Sequence, residues 1–241
     1  GEKLTIGFIG GSITQGSLSS TPQKCYAYLV YEWWVRTFPQ AEFKYVNAGI
    51  GGTTSQFGVA RAQDDLLDAE PDFVIAEFSV NDESTGHFEE TYEGLVRKIL
   101  SSKSHPALML VHNVCYNNGA SAELVHSRIA RHYNIPSVSM QSTLYKALLN
   151  CRFDNRRITP DDLHTNDCGH ELVSMVITKR LEQIKSTVKA EYETAKSQRA
   201  AAQPDAGAAA LLPEPLTANA YEDSVRYRNY NSAPELDGFK S

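Results

Sequence analysis

The chain has 241 residues, 41% of them hydrophobic and 22% charged, with a formal net charge of -6. That is enough for one domain with a sizeable core plus an appendage, and the acidic balance argues against a nucleic-acid partner, whose phosphates want a basic face. No run of about 18 apolar residues suggests a membrane span, and no signal-peptide pattern stands at the start, although a chain that begins at Gly1 is compatible with a removed leader.

Leu4 to Ile9 reads as a buried strand, and Cys25 to Phe38 as an aromatic-rich helix ended by Pro39. Phe43 to Val46 is a second strand and Thr54 to Ala69 a helix. Phe73 to Phe78 is a strand entered through Pro71, and Phe88 to Leu100 a helix. Ala107 to Val111 is a strand, Ala120 to Tyr133 a helix, Ser137 to Ser139 a short last strand, and Cys168 to about Lys196 a long helix. Strands that alternate with helices imply an α/β fold, a three-layer α/β/α arrangement around a parallel sheet of about five strands. The strands are continuously apolar, as strands buried on both faces must be.

Residues 1–196 are expected to form one domain. From 197 the chain turns Ala-rich, with Pro204, Pro213 and Pro215, and reads as a linker or tail. Residues 216–241 carry Tyr221, Tyr227 and Tyr230 and either wrap back onto the domain or meet something beyond it. The four cysteines, Cys25, Cys115, Cys151 and Cys168, are scattered without a CxxC pair. Free thiols in a reducing cytoplasm are the expectation. His87, His105, His112, His126, His132 and His170 show no HExxH-type spacing, so neither a metal nor a cofactor is expected.

In open α/β sheets ligands sit beyond the carboxyl ends of the strands, so the segments after each strand carry the chemistry. Gly10-Gly11-Ser12-Ile13-Thr14-Gln15-Gly16 follows the first strand, and its glycines allow a sharp turn that exposes a serine. It lacks both GxxxxGK[ST] and GxGxxG, which weakens a nucleotide reading. Asn47 to Thr54 follows the second strand and brings small-residue backbone N–H groups to the sheet edge ahead of a helix, where they suit an oxyanion. Ser79-Val80-Asn81-Asp82 follows the third strand, and Asn81 offers a side-chain N–H. Asp161-Asp162-Leu163-His164 precedes the last helix; a carboxylate three residues before a histidine can bond its Nδ1 and leave Nε2 to take a serine proton.

These four segments, in this order, resemble the blocks of the SGNH (GDSL-like) hydrolases over about residues 4–185. The resemblance implies Ser12 as nucleophile, His164 as base and Asp161 as its orienting acid, with Ser12, Gly52 and Asn81 as oxyanion donors. Two positions depart from the family pattern: Gly11 replaces an aspartate and Ser79 a glycine. The chain also resembles bacterial carbohydrate acetylesterases built as an SGNH domain followed by a sugar-binding β module. That resemblance implies removal of acetyl groups from carbohydrate, such as mannan or xylan oligosaccharides, and makes the tail a candidate start of such a module or connection to it. The alternatives are a lysophospholipase or thioesterase of the same fold, or a non-catalytic carbohydrate-binding relative.

Competing structural roles weigh on several of these residues. Asp162 is expected to face solvent or cap a turn, Asp82 to make local turn bonds, and His170 to be structural. Glu77, a carboxylate inside an apolar strand, needs a partner and is read as structural. Tyr31, Trp34 and Phe38 form a core stripe. Tyr116, Asn117 and Asn118 follow the fourth strand and are expected on the active-site rim.

Overall fold

The computed structural model describes residues 2–199 and 212–226. Five parallel strands form its centre: β1 (Lys3–Gly10), β2 (Glu42–Gly49), β3 (Phe73–Glu77), β4 (Ala107–His112) and β5 (Ser137–Ser139), in the order β2-β1-β3-β4-β5. Among the described residues the α-helical segments are α1 (Ser12–Gln15), α2 (Tyr26–Thr37), α3 (Ser55–Asp65), α4 (Gly86–Leu100), α5 (Glu123–His132), α6 (Lys146–Leu149) and α7 (Asp167–Arg199).

Successive strand residues face opposite sides of the sheet. Ile6, Phe8, Phe73, Ile75, Met109 and Val111 pack against Tyr26, Val30, Val173, Ile177 and Leu181 of α2 and α7. Ile9, Val74, Ala76, Leu108 and Leu110 pack against Val59, Ala62, Leu95, Ile99 and Ile129 of α3, α4 and α5. Each fully buried large side chain among them contributes roughly 1.5–3 kcal/mol. This is the expected three-layer α/β/α fold. The register aligns Gly10 with both Gly49 and Glu77, so the exits of β1, β2 and β3 stand side by side. The strand order reverses at β1/β3, the crevice where such sheets bind ligands.

Some boundaries differ from the sequence reading. The helix expected to run to Ala69 ends at Asp65; Leu66 leaves helical geometry, and a single turn, Leu67–Ala69, leads towards Pro71, which disfavours helix at Glu70. Gln141–Tyr145 forms a wide helical turn that continues into α6, where no element was expected. No described helix is long and apolar enough to cross a membrane. All four cysteines are free, with Cys25 buried and Cys151 and Cys168 exposed.

Residues 212–226 lie on α4. The buried Glu93 carboxylate accepts bonds from Tyr133 Oη, the backbone N–H groups of Leu216 and Thr217, and the Thr217 hydroxyl. Arg97 pairs with Glu222 at 2.8 Å, and Arg226 with Asp65 at 2.8 Å. The segment crosses α4 at Gly94, where a Cβ would lie 1.6 Å from the Ala220 carbonyl oxygen. Tyr227 and Tyr230 lie outside the described residues.

Candidate active site

Ser12 opens α1 immediately after β1 and is 8% exposed. Its Oγ lies 2.9 Å from His164 Nε2, across 152 residues of sequence. His164 Nδ1 lies 2.7 Å from Asp161 Oδ2. The other Asp161 oxygen accepts the backbone N–H groups of Leu163 and His164 and the Thr159 hydroxyl. Burial pushes this carboxyl up, but the bonds from His164 and the two backbone N–H groups outweigh it and hold it at about 2. Asp161 is therefore a carboxylate at neutral pH, and a carboxylate on Nδ1 leaves Nε2 free to accept a proton.

The loop that carries this pair is fixed from outside. The Tyr116 N–H donates to the Asp162 carbonyl at 2.7 Å, and Asn155 and Arg156 hold the Asp162 carboxylate. Asp162 thus braces the loop and takes no bond from the His164 ring. His170 accepts the Tyr26 N–H at Nδ1 and bonds the Ser17 carbonyl through Nε2, tying the segment after α1 to α7.

The other two exits converge on Ser12. The Asn81 carboxamide lies against Gly11: a Cβ there would sit 2.3 Å from Asn81 Oδ1. The glycine that departs from the family pattern thus leaves room for the Asn81 carboxamide beside the residue that precedes Ser12. Gly52 has φ +69, a backbone shape L side chains rarely adopt, and faces open space. Gln15 Oε1 accepts the Gly51 N–H at 2.9 Å, and the Ile50 N–H donates to the Gly10 carbonyl at 3.0 Å, so this loop is laced to α1 and β1.

Arg61 was not singled out from the sequence. It is fully buried, and its guanidinium donates to the carbonyls of Gly10 at 3.0 Å and Ala48 at 2.6 Å, clamping the last turns of β1 and β2. An arginine on the apolar face of α3, between Val59 and Ala62, is the signal that marks it. Ser79 is explained as well, since its hydroxyl sits between Glu77 Oε1 and the Asn113 carbonyl, where glycine would offer nothing. Glu77 is wholly buried, and burial pushes its carboxyl up to about 7. The Asp82 backbone N–H makes the expected local turn bond to the Phe78 carbonyl, while its carboxylate makes long-range bonds, to the Ser55 N–H and to His126 Nε2.

The rim expectation needs one correction. Tyr116 is 2% exposed and belongs to the core, where its ring fills space beneath the sheet end; its tie to the site runs through its backbone N–H. Asn117 and Asn118 are exposed, and Asn118 Oδ1 accepts the Ala120 N–H in a turn. An apolar groove of about 880 Å³, lined by Trp33, Trp34, Phe38, Leu181 and Val188, lies at the opposite, amino-terminal end of the strands and holds none of these groups. Among the described residues, no three His, Cys, Asp or Glu side chains gather as a metal site would require.

Comparison with known proteins agrees with this architecture. A two-domain esterase active on acetylated mannans, solved with mannopentaose, is 61% identical, with a TM-score of 0.84 over 96% of this chain and 58% of its own. The acetylxylan esterase Axe2 of Geobacillus stearothermophilus shares the fold at a TM-score of 0.63 and 19% identity, over 75% of this chain and 94% of its own. Thioesterase 1/protease 1/lysophospholipase L1 of Escherichia coli K12 is 28% identical over 141 residues, 55% of this chain and 64% of that protein. The chain thus spans under two thirds of the length of both the mannan esterase and the E. coli protein. The GDSL-like lipase/acylhydrolase family model matches residues 8–172, more than half of the chain. With its serine, histidine and carboxylate hydrogen-bonded in series at the sheet's switch point, the chain belongs to the GDSL-like lipase/acylhydrolase family.

Proposed function

We propose that this protein is a serine esterase that removes short acyl groups, acetyl above all, from carbohydrate. The observation that carries the chemistry is the bonded series Asp161–His164–Ser12, at 2.7 Å and 2.9 Å. His164 Nε2 takes the Ser12 proton as Oγ attacks the ester carbonyl. Asp161 holds the imidazole tautomer and stabilises the imidazolium. The backbone N–H groups of Ser12 and Gly52 and the Asn81 carboxamide receive the oxyanion. The Ser12 N–H is suited to this because the first N–H groups of a helical turn have no acceptor within it. Loss of one such donor costs about 2.7–4 kcal/mol of transition-state stabilisation. The imidazolium then protonates the departing sugar oxygen; water, deprotonated by His164, attacks the acyl carbonyl, and His164 returns that proton to Ser12 Oγ as the free acid leaves.

The carbohydrate substrate rests on similarity to the mannan esterase, which extends over nearly the whole chain at 61% identity. Asn117 and Asn118, exposed in the loop after β4, are polar side chains of the kind that suits hydroxylated ligands. A lysophospholipase or thioesterase is the second reading, favoured by the similarity to the E. coli protein. A series of p-nitrophenyl esters of increasing chain length separates the two. Turnover that peaks at acetate, together with acetate release from acetylated mannan, is expected; a peak at about eight carbons or more contradicts the deacetylase.

A further inference from the structure

We infer that His126, acting through Asp82, is a positioning residue for the oxyanion hole; this deepens the esterase reading above and rests on it. Both side chains are 0% exposed, in the layer behind the catalytic edge. Asp82 Oδ2 lies 3.0 Å from His126 Nε2, and Asp82 Oδ1 accepts the backbone N–H of Ser55 at 2.8 Å. The His126 ring stacks on Tyr92, with centroids 3.6 Å apart and planes at 9°. Its Nδ1 has no hydrogen-bond partner among the described residues. A neutral imidazole with its proton on Nε2 satisfies this network, and burial, which lowers the basicity of His126, favours that neutral form.

Asp82 links both loops that carry proposed oxyanion donors: it belongs to the Asn81 turn, and its Oδ1 bond reaches Ser55 behind the Gly52 loop. Asn81 and Asp82 share one turn, since both N–H groups donate to the Phe78 carbonyl. Ser55 begins α3, three residues after Gly52. One carboxylate therefore sets the distance between the Asn81 turn and the Gly52 loop, and His126, clamped on α4 through Tyr92, fixes that carboxylate. A well-packed apolar pair would fill the same space but would leave the Ser55 N–H without its acceptor. Nor could it hold two loops in register, and catalysis by preorganised donors is sensitive to shifts of about 1 Å.

The test uses the full chain with p-nitrophenyl acetate, with competent sites counted by stoichiometric labelling with a fluorophosphonate. His126→Phe keeps a ring on Tyr92 and removes the donor. Its kcat per labelled site is expected to fall about 10–100-fold, with KM within about twofold. Affinity for a tetrahedral boronate should fall by the same factor as kcat/KM. His126→Gln returns an N–H near the Nε2 position and should recover most of kcat. Unchanged kcat per site in His126→Phe, or equal losses in both variants, overturns the inference. If His126→Phe does not fold, Asp82→Asn decides: the same pattern at a smaller factor supports positioning, and unchanged kcat per site overturns it. A wild type without esterase activity removes the parent reading and this inference together. An active wild type with an indifferent His126 removes this inference alone.

Discussion

Gly11 shows how one residue's missing side chain shapes the site. The Asn81 carboxamide occupies the space a Cβ would need, at 2.3 Å. Gly11→Ala is therefore expected to displace Asn81 and lower kcat about 10–100-fold, while the melting temperature stays close to that of the wild type. Steady-state kinetics with a short acyl ester checks this, and an unchanged kcat removes Asn81 from the oxyanion hole. Glu77 yields a pH prediction. Its carboxyl ionises at about 7 in the fold, against 4.5 for an unburied glutamate. The folded state thus holds a proton that the unfolded state has already released. Stability is lost as pH rises between these values, by up to about 3 kcal/mol. Glu77→Gln removes that dependence, so its melting temperature relative to wild type should be higher at pH 8 than at pH 5. A difference that does not vary with pH contradicts a buried, late-ionising Glu77. Ser12 and Asn81 after strands, and His164 ahead of the last helix, could be singled out in the sequence because the family resemblance rests on those segments. Arg61 and His126 could not be, because burial and long-range partners leave no local pattern.

At the scale of elements, the strands and major helices were legible from apolar runs and helical periodicity. Their ends were less so. The helix end at Asp65 depends on where Leu66 packs, against Gly7 of β1, and on the approach to Pro71. Gln141–Tyr145 and α6 carry only one fully buried residue, Leu144, and so left little periodicity to read. The bond set of α4 was also invisible, since its most buried carboxylate, Glu93, finds its partners 40 to 124 residues away. Glu93→Ala strands the Tyr133 hydroxyl, the Leu216 and Thr217 N–H groups and the Thr217 hydroxyl together. It is expected to destabilise the fold by about 2–4 kcal/mol, read as a lower urea midpoint at unchanged slope. No shift in midpoint would mean that residues 212–226 do not hold to α4. Activity per folded molecule should be unaffected, because none of these groups touches the catalytic edge.

At the scale of the whole molecule, the sheet supplies the geometry that no segment has alone. Gly10, Gly49 and Glu77 end level, and that register brings the starts of the Ser12, glycine-loop and Asn81 segments to one edge of the sheet, where Ser12 meets a histidine that arrives from the far end of the chain. Two helical layers bury both faces of the sheet, and Arg61 and Asp82 fasten its exits from behind. The sequence showed which residues could react, while the tertiary structure adds what holds them. Residues 212–226 extend this unit across α4, so we propose that the folding domain includes them rather than closing near residue 196. The most direct measurement is hydrolysis of a short acyl ester by wild-type protein and by Ser12→Ala at equal folded concentration. Serine-dependent turnover that drops by about 10⁴–10⁶ in the variant is the predicted result, and turnover that survives the loss of the Ser12 hydroxyl would contradict a serine nucleophile at this site.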